Sequence, residues 1–128
     1  MTAEKRKPYQ VLAIDDEPEI LEAVRTTLEA AGYRVLTAAH PREGLDLFEQ
    51  HWRDIDLVLL DYVLPEMLGD LVFESMQRIN PYVHVVLLTG CDDQVARKMF
   101  TAGLRGYLQK PFYVEDLTSR VAEEIDRL

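Results

Sequence analysis

Acid, hydroxyl and amine side chains stand where four apolar runs of this chain end. Asp15 and Asp16 follow Val11-Leu12-Ala13-Ile14, and Asp61 follows Leu57-Val58-Leu59-Leu60. Thr89 follows Val83 to Leu88, and Lys110 follows Gly106-Tyr107-Leu108-Gln109. Carboxylates gathered in one place repel one another and call for a hard divalent cation. A hydroxyl and an ammonium beside them suit a transferred anion such as phosphoryl. An aspartate can attack phosphorus to give an acyl phosphate, and a metal offsets the charge repulsion of that attack. Phosphoryl transfer asks mostly for positioning and charge stabilisation, which this set of groups supplies.

Each residue also has a plainer reading. Asp15-Asp16-Glu17-Pro18 resembles an ordinary helix start, with acids near the amino terminus and proline in the first turn. For that pair taken alone the plain reading is the better one. Asp61 alone is a loop acid, Thr89 a turn hydroxyl and Lys110 a solvated amine. The plain readings must all hold together at one sheet edge, and that is where they weaken.

Positioning these groups requires alternating strands and helices. Val11 to Ile14, Val35 to Thr37, Ile55 to Leu60, Val83 to Leu88 and Gly106 to Gln109 read as strands, several of them apolar throughout as in a sheet covered on both faces. Between them, Leu21, Val24, Leu28 and Ala31 recur at helical spacing after Pro18, and Gly32 closes that helix. Pro41 opens a second helix, with Leu45, Phe48 and Trp52 on one side. Val72, Phe73, Met76 and Ile79 define a third, stopped by Asn80-Pro81. Asp92-Asp93 caps a fourth, carrying Val95 and Met99 inward, and Leu117, Val121 and Ile125 define the last. Five βα units with short connections predict a parallel sheet with right-handed crossovers and helices on both faces. Ligands of such sheets bind outside the carboxyl ends of the strands, which is where the reactive groups fall.

Composition narrows the function. The chain has 128 residues and 48% hydrophobic side chains, enough for one domain with a substantial core. A net charge of −9 argues against direct nucleic-acid binding, which demands clustered Lys and Arg. The single cysteine, Cys91, excludes an internal disulfide and reads as an inert small side chain in a reducing compartment. Lys5, Arg6 and Lys7 are not followed by the apolar stretch of a secretion signal, and no run is long enough to span a membrane. A cytoplasmic location is expected. His40, His51 and His84 show no metal-ligand pattern, and His84 reads as a histidine of a buried strand.

Taken together, Asp15-Asp16, Asp61, Leu64-Pro65 with Gly69, Thr89-Gly90 and Gly106-Tyr107-Leu108-Gln109-Lys110-Pro111-Phe112 resemble the receiver domain of bacterial two-component response regulators. The resemblance runs from residue 9 to 128, leaving residues 1–8 as an amino-terminal tail and no effector region in view. It implies a flavodoxin-like (βα)5 fold with strand order 2-1-3-4-5. It implies that Asp61 accepts a phosphoryl group, as 4-aspartylphosphate, from a sensor histidine kinase or a histidine phosphotransfer protein. Asp16 and Asp61 would be direct Mg²⁺ ligands, with Asp15 acting largely through bound water and the Val63 backbone carbonyl as a further ligand. Thr89, Gly90 and Lys110 would surround the phosphoryl group, with Val63 and Cys91 at the path of attacking water. Thr89 and Tyr107 would relay the change to the face of the fourth helix, fifth strand and fifth helix, where an effector domain, a target protein or a second phosphorylated copy would dock. Met99, Leu104, Tyr107 and Phe112 are expected to form that exposed patch. The Lys110-Pro111 bond is expected to be cis.

Two other classes compete. An aspartate-nucleophile phosphatase wants a second acid two residues after the nucleophile, yet Tyr62-Val63 follows Asp61. A degenerate receiver acting only as a binding platform would lack one of the reactive groups, and none is missing.

Overall fold

A computed structural model describes residues 8–90 and 93–128. The elements alternate as β1 (Gln10–Ile14), α1 (Pro18–Ala30), β2 (Arg34–Ala38), α2 (Pro41–His51), β3 (Leu57–Asp61), α3 (Gly69–Ile79), β4 (Val85–Thr89), α4 (Asp93–Thr101), β5 (Gly106–Gln109) and α5 (Val114–Asp126). All five strands are parallel, in the order β2-β1-β3-β4-β5. The chain therefore reverses direction across the sheet between β1 and β3, and the carboxyl ends of both strands open into the crevice so formed.

The sheet is buried on both faces because successive strand side chains point to opposite sides. Leu12, Ile14, Val58, Leu60, Val85 and Leu87 pack with Phe48, Val72, Phe73, Met76 and Met99 from α2, α3 and α4. Val11, Ala13, Leu57, Leu59, Val86 and Leu88 pack with Val24, Leu28, Leu117, Val121 and Ile125 from α1 and α5. Pro18 and Pro41 each occupy the first turn of their helices, where a missing N–H costs nothing. Gly32 follows the α1 cap at φ +98, a left-handed conformation that glycine adopts without strain. At α5, Asp116 reaches back to accept the Tyr113 backbone N–H at 3.1 Å.

Apolarity and strand pairing part company at two strand starts. Ile55 and Val83 face the core, yet pairing begins only at Leu57 and Val85. Asp61 and Thr89 are consequently the last paired residues of their strands rather than the first residues beyond them. His84 likewise precedes β4 rather than lying on it, half-buried, with its carbonyl accepting the Val58 N–H at 2.9 Å. Trp52 caps the end of α2 and is half-buried, with the Arg53 guanidinium 4.7 Å from its ring centroid. The cap expected from Asp92, and the position of Cys91, lie outside the described residues, as does the tail before Pro8.

The expected exposed patch needs correction. Met99 and Leu104 are only 3% and 4% exposed and belong to the α2–α3–α4 layer. Phe112 packs against the opposite, α1–α5 layer. Tyr107 is half-buried, and its ring meets Phe100 edge to face at 6.2 Å and 71°. Phe100, 41% exposed, is thus the outward aromatic of α4.

Candidate functional site

The acids of β1 and β3 and the lysine after β5 converge, and the end of β4 adjoins them through its backbone. Asp15 leaves β1 with its backbone N–H on the Ala38 carbonyl of the β2 end at 3.1 Å. Asp61 ends β3, Thr89 ends β4, and the Lys110 N–H donates to the Thr89 carbonyl at 2.8 Å, extending the β4–β5 pairing to the lysine itself. Asp16, Glu17, Asp61, Val63, Gly90 and Lys110 line one open cleft of about 480 Å³. Asp15 is fully buried beneath it, while Asp16 is exposed at the rim.

Lys110 holds the acids together. Its Nζ lies 2.7 Å from Asp15 Oδ2, 3.1 Å from Glu17 Oε2 and 3.5 Å from Asp61 Oδ2. Asp15 Oδ1 accepts the Glu17 backbone N–H at 2.9 Å, and Asp61 Oδ1 is 3.4 Å from the Val63 N–H. Asp15 Oδ2 meets the Lys110 ammonium at 2.7 Å, the shortest of the three contacts, and has no other polar partner.

Burial pushes the Asp61 carboxyl up to about 6, helped by the charge of Asp15 and opposed by Lys110 and the Val63 amide. Burial raises Asp15 as well, more than Lys110 and the Glu17 N–H lower it. For Lys110, burial works toward a lower value, but Asp15, Glu17 and Asp61 outweigh it and hold the ammonium above the usual lysine range. The ammonium is thus secured in its charged form, while the two buried acids remain short of positive charge.

A metal fits that deficit. Asp15, Asp16, Glu17 and Asp61 each offer a carboxylate oxygen within 4.8 Å of the others. An all-oxygen donor set that includes two buried carboxylates suits a small hard cation. Glu17 is the member that sequence reasoning assigned only to a helix start; its lysine partner is 93 residues away, beyond any local signal.

The backbone behind Asp61 is closely packed. A Cβ at Gly69, the first residue of α3, would lie 2.8 Å from Tyr62 Cα and 2.9 Å from the Asp61 carbonyl oxygen. The Gly69 N–H donates to the Tyr62 carbonyl at 2.7 Å. Only glycine lets α3 start this close to the strand end. A Cβ at Gly90, by contrast, would meet nothing within 4 Å among the described residues.

Thr89 is 2% exposed, and the parallel register pairs Leu87 with Tyr107 and Thr89 with Gln109. Strand alternation therefore places Thr89 and Tyr107 on the same face of neighbouring strands. The Lys110-Pro111 peptide bond is cis, as expected.

Residues 11–122 match the response regulator receiver domain family. The chain belongs to that family. Members of it are receiver domains of two-component response regulators, signalling domains rather than conventional enzymes. TcrX, a probable transcriptional regulatory protein of Mycobacterium tuberculosis, is 34% identical over 118 residues, 90% of this receiver domain and 49% of TcrX. The chain spans about half the length of the curated transcriptional regulators it matches. A receiver domain protein from Clostridium thermocellum superposes with a TM-score of 0.87 at 34% identity, covering 93% of this chain and 95% of that one. The BeF3-activated receiver domain of DrrB superposes with a TM-score of 0.81 at 30% identity, covering 94% and 99%.

Proposed function

We propose that the protein is a phosphorylation switch in which Asp61 accepts a phosphoryl group from a phosphohistidine donor. The observation that carries this reading is the convergence of a buried Asp61 carboxylate, the Lys110 ammonium 3.5 Å away and the acids of the β1 end in one open cleft. An Asp61 oxygen attacks phosphorus, the O–P bond forms, and the P–N bond breaks with its electron pair leaving on the imidazole nitrogen. Lys110 meets an equatorial phosphoryl oxygen as a point charge, and Thr89 donates to another. Mg²⁺, held by Asp16, Asp61 and the Val63 carbonyl with Asp15 through water, would supply charge neutralisation at the transferring group. The two buried carboxylates, Asp15 and Asp61, whose pKa values burial raises despite the one ammonium beside them, support this choice of cofactor. That DrrB is known in a BeF3-activated form supports the phosphoacceptor reading by similarity.

The response travels from Thr89 to Tyr107 along the shared sheet face. Phosphorylation adds about −1.5 to −2 charges and three strong acceptors, and drawing the Thr89 hydroxyl toward them vacates space on the face that carries Tyr107. The Phe100–Tyr107 contact is the nearest aromatic reporter of that movement. The readout surface is the α4–β5–α5 face, presented to an effector domain, a target protein or a second copy, with a sensor histidine kinase or histidine phosphotransfer protein as donor. Among the described residues no helix is long and apolar enough to cross a membrane, and a cytoplasmic setting is part of the proposal.

Acetyl phosphate labelling followed by borohydride trapping and mass spectrometry tests the assignment. Label is expected at Asp61 alone and only with Mg²⁺. Undiminished labelling of Asp61→Asn would overturn the reading.

A further inference from the structure

The ammonium that the phosphoryl group needs is already engaged. Lys110 Nζ contacts three carboxylates, and only one of them, Glu17, lies 57% exposed at the mouth of the cleft. Asp15 is fully buried and Asp61 is the acceptor, so neither can turn away from the lysine. Glu17 can, because its Cα is fixed by α1 while its side chain reaches into the opening. Its contact with Lys110 is hydrogen-bonded at 3.1 Å, longer than the 2.7 Å contact of the buried Asp15, so Glu17 is the partner that an incoming anion displaces more readily.

We infer that Glu17 is a latch on Lys110: in the unmodified protein it occupies the lysine position that a phosphoryl oxygen takes on phosphorylation, so loading requires exchange of one anion for the other. The inference rests on the phosphoacceptor reading of Asp61 and deepens it. Glu17 touches the phosphoryl-binding lysine rather than the reacting atoms, which makes it a positioning residue. Its backbone serves a separate purpose, since the Glu17 N–H orients Asp15 Oδ1 whatever side chain is present. A change of side chain can therefore release Lys110 without disturbing the β1 end. The exchange also sets a direction. Removing the latch favours every anion that replaces it, whereas a brace that merely held Lys110 in place would leave the lysine less well aimed when removed.

Glu19, an exposed acid in the same first turn of α1, serves as the charge-matched control. The experiment titrates the full chain with beryllofluoride at saturating Mg²⁺, followed by amide NMR shifts near Gly90 and Lys110, in wild type, Glu17→Gln and Glu19→Gln, at low and high ionic strength. Mg²⁺ affinity is measured separately by titration of the same resonances. An exposed, hydrogen-bonded pair of this kind accounts for about two- to five-fold in an equilibrium. Glu17→Gln is expected to bind beryllofluoride about two- to five-fold more tightly at saturating Mg²⁺ and, because a 3.1 Å contact is screened less than the longer-range field of the mouth, to keep more of that gain at high salt than Glu19→Gln does. Glu19→Gln is expected to match wild type once salt screens the mouth.

Weaker beryllofluoride binding in Glu17→Gln makes the residue a brace and ends the proposal. A gain equalled by Glu19→Gln at high salt assigns the effect to general repulsion instead. A loss of Mg²⁺ affinity at high salt of about ten-fold or more, beyond the general loss of one nearby charge shown by Glu19→Gln, makes Glu17 a metal ligand, which also overturns the latch. Absence of beryllofluoride binding in wild type would fail the phosphoacceptor reading itself, a result distinct from the other three.

Discussion

The two edges of the sheet treat buried acid in opposite ways. At the amino edge of the strands, Glu124 of α5 is 1% exposed, with Arg127 Nη1 3.0 Å from its Oε2. A Cβ on Gly106, the first residue of β5, would lie 3.4 Å from that same Oε2 and 3.6 Å from Arg120 Nη1. This buried acid is thus paired with one guanidinium, that of Arg127. Nearby, Asp56 Oδ2 accepts the Gln10 N–H at 2.9 Å, tying the start of β1 to the chain that enters β3. At the carboxyl edge four acids face a single ammonium, and the two buried ones are pushed toward protonation. At the amino edge Glu124 meets a guanidinium through Oε2, although its buried Oε1 has no hydrogen-bond partner among the described residues, and the pair serves the fold. Charge at the carboxyl edge is left in deficit, and that deficit is what the proposed cation and phosphoryl group would meet.

The largest effects are expected where the deficit is worked on directly. Lys110→Ala is expected to lower acetyl phosphate labelling by at least ten-fold, since it removes the one ammonium that lines the cleft among the described residues, on the order of the 10²–10³ seen when one preorganised charge-stabilising donor is lost. Thr89→Ala is expected to keep most of the labelling but to lose the shift of Tyr107 and Phe100 resonances on beryllofluoride binding. Equal loss of labelling and of the distant response in both variants would remove the division between chemistry and relay.

A mid-sized effect concerns stability without metal. The Asp61 carboxyl lies near 6 in the folded protein, above its ordinary value of 3.8. Between those values the folded state holds more protons than the unfolded one, so this group stabilises at low pH and its contribution is lost as pH rises through 6. Asp61→Asn is expected to make the metal-free protein more stable at pH 7 by about 1–3 kcal/mol. The advantage is expected to vanish near pH 4. Urea unfolding in chelator across that range checks it. A variant less stable than wild type at pH 7 would mean that Lys110 compensates Asp61 fully.

The smallest effect is expected at the opposite edge. Glu124→Gln is expected to change stability by less than about 1 kcal/mol, since its Arg127 partner is largely in solvent. Mg²⁺ titration of this variant should overlay that of wild type. A change in metal affinity there would break the separation of the two edges.

Much of this arrangement was legible before any coordinates. The strands declared themselves by unbroken apolar runs, and the helix starts by Pro18 and Pro41, because both signals act within a few residues. Asp15, Asp16, Asp61, Thr89 and Lys110 could be placed at one edge since a parallel sheet puts all strand ends together. Glu17 could not be placed, because its hydrogen bond to Lys110 depends on the rotamers of two side chains far apart in sequence. The exposed patch failed for a related reason. An apolar residue near a surface element can turn either way, and Met99 and Leu104 turn into the α2–α3–α4 layer while Phe100 stays out.

The glycine at the start of α3 changes how variation in this protein should be read. Gly69 has no functional group, yet a single added methyl would press on the carbonyl of Asp61 and the Cα of Tyr62. In a saturation library scored by phosphorylation, position 69 should therefore rank beside the acids and the lysine. A map built from such scores would mark a chemically mute residue as part of the catalytic set. Scoring the same library for folded protein would separate the two meanings, since substitutions at Gly69 should fail both screens whereas Asp61→Asn should fail only the first.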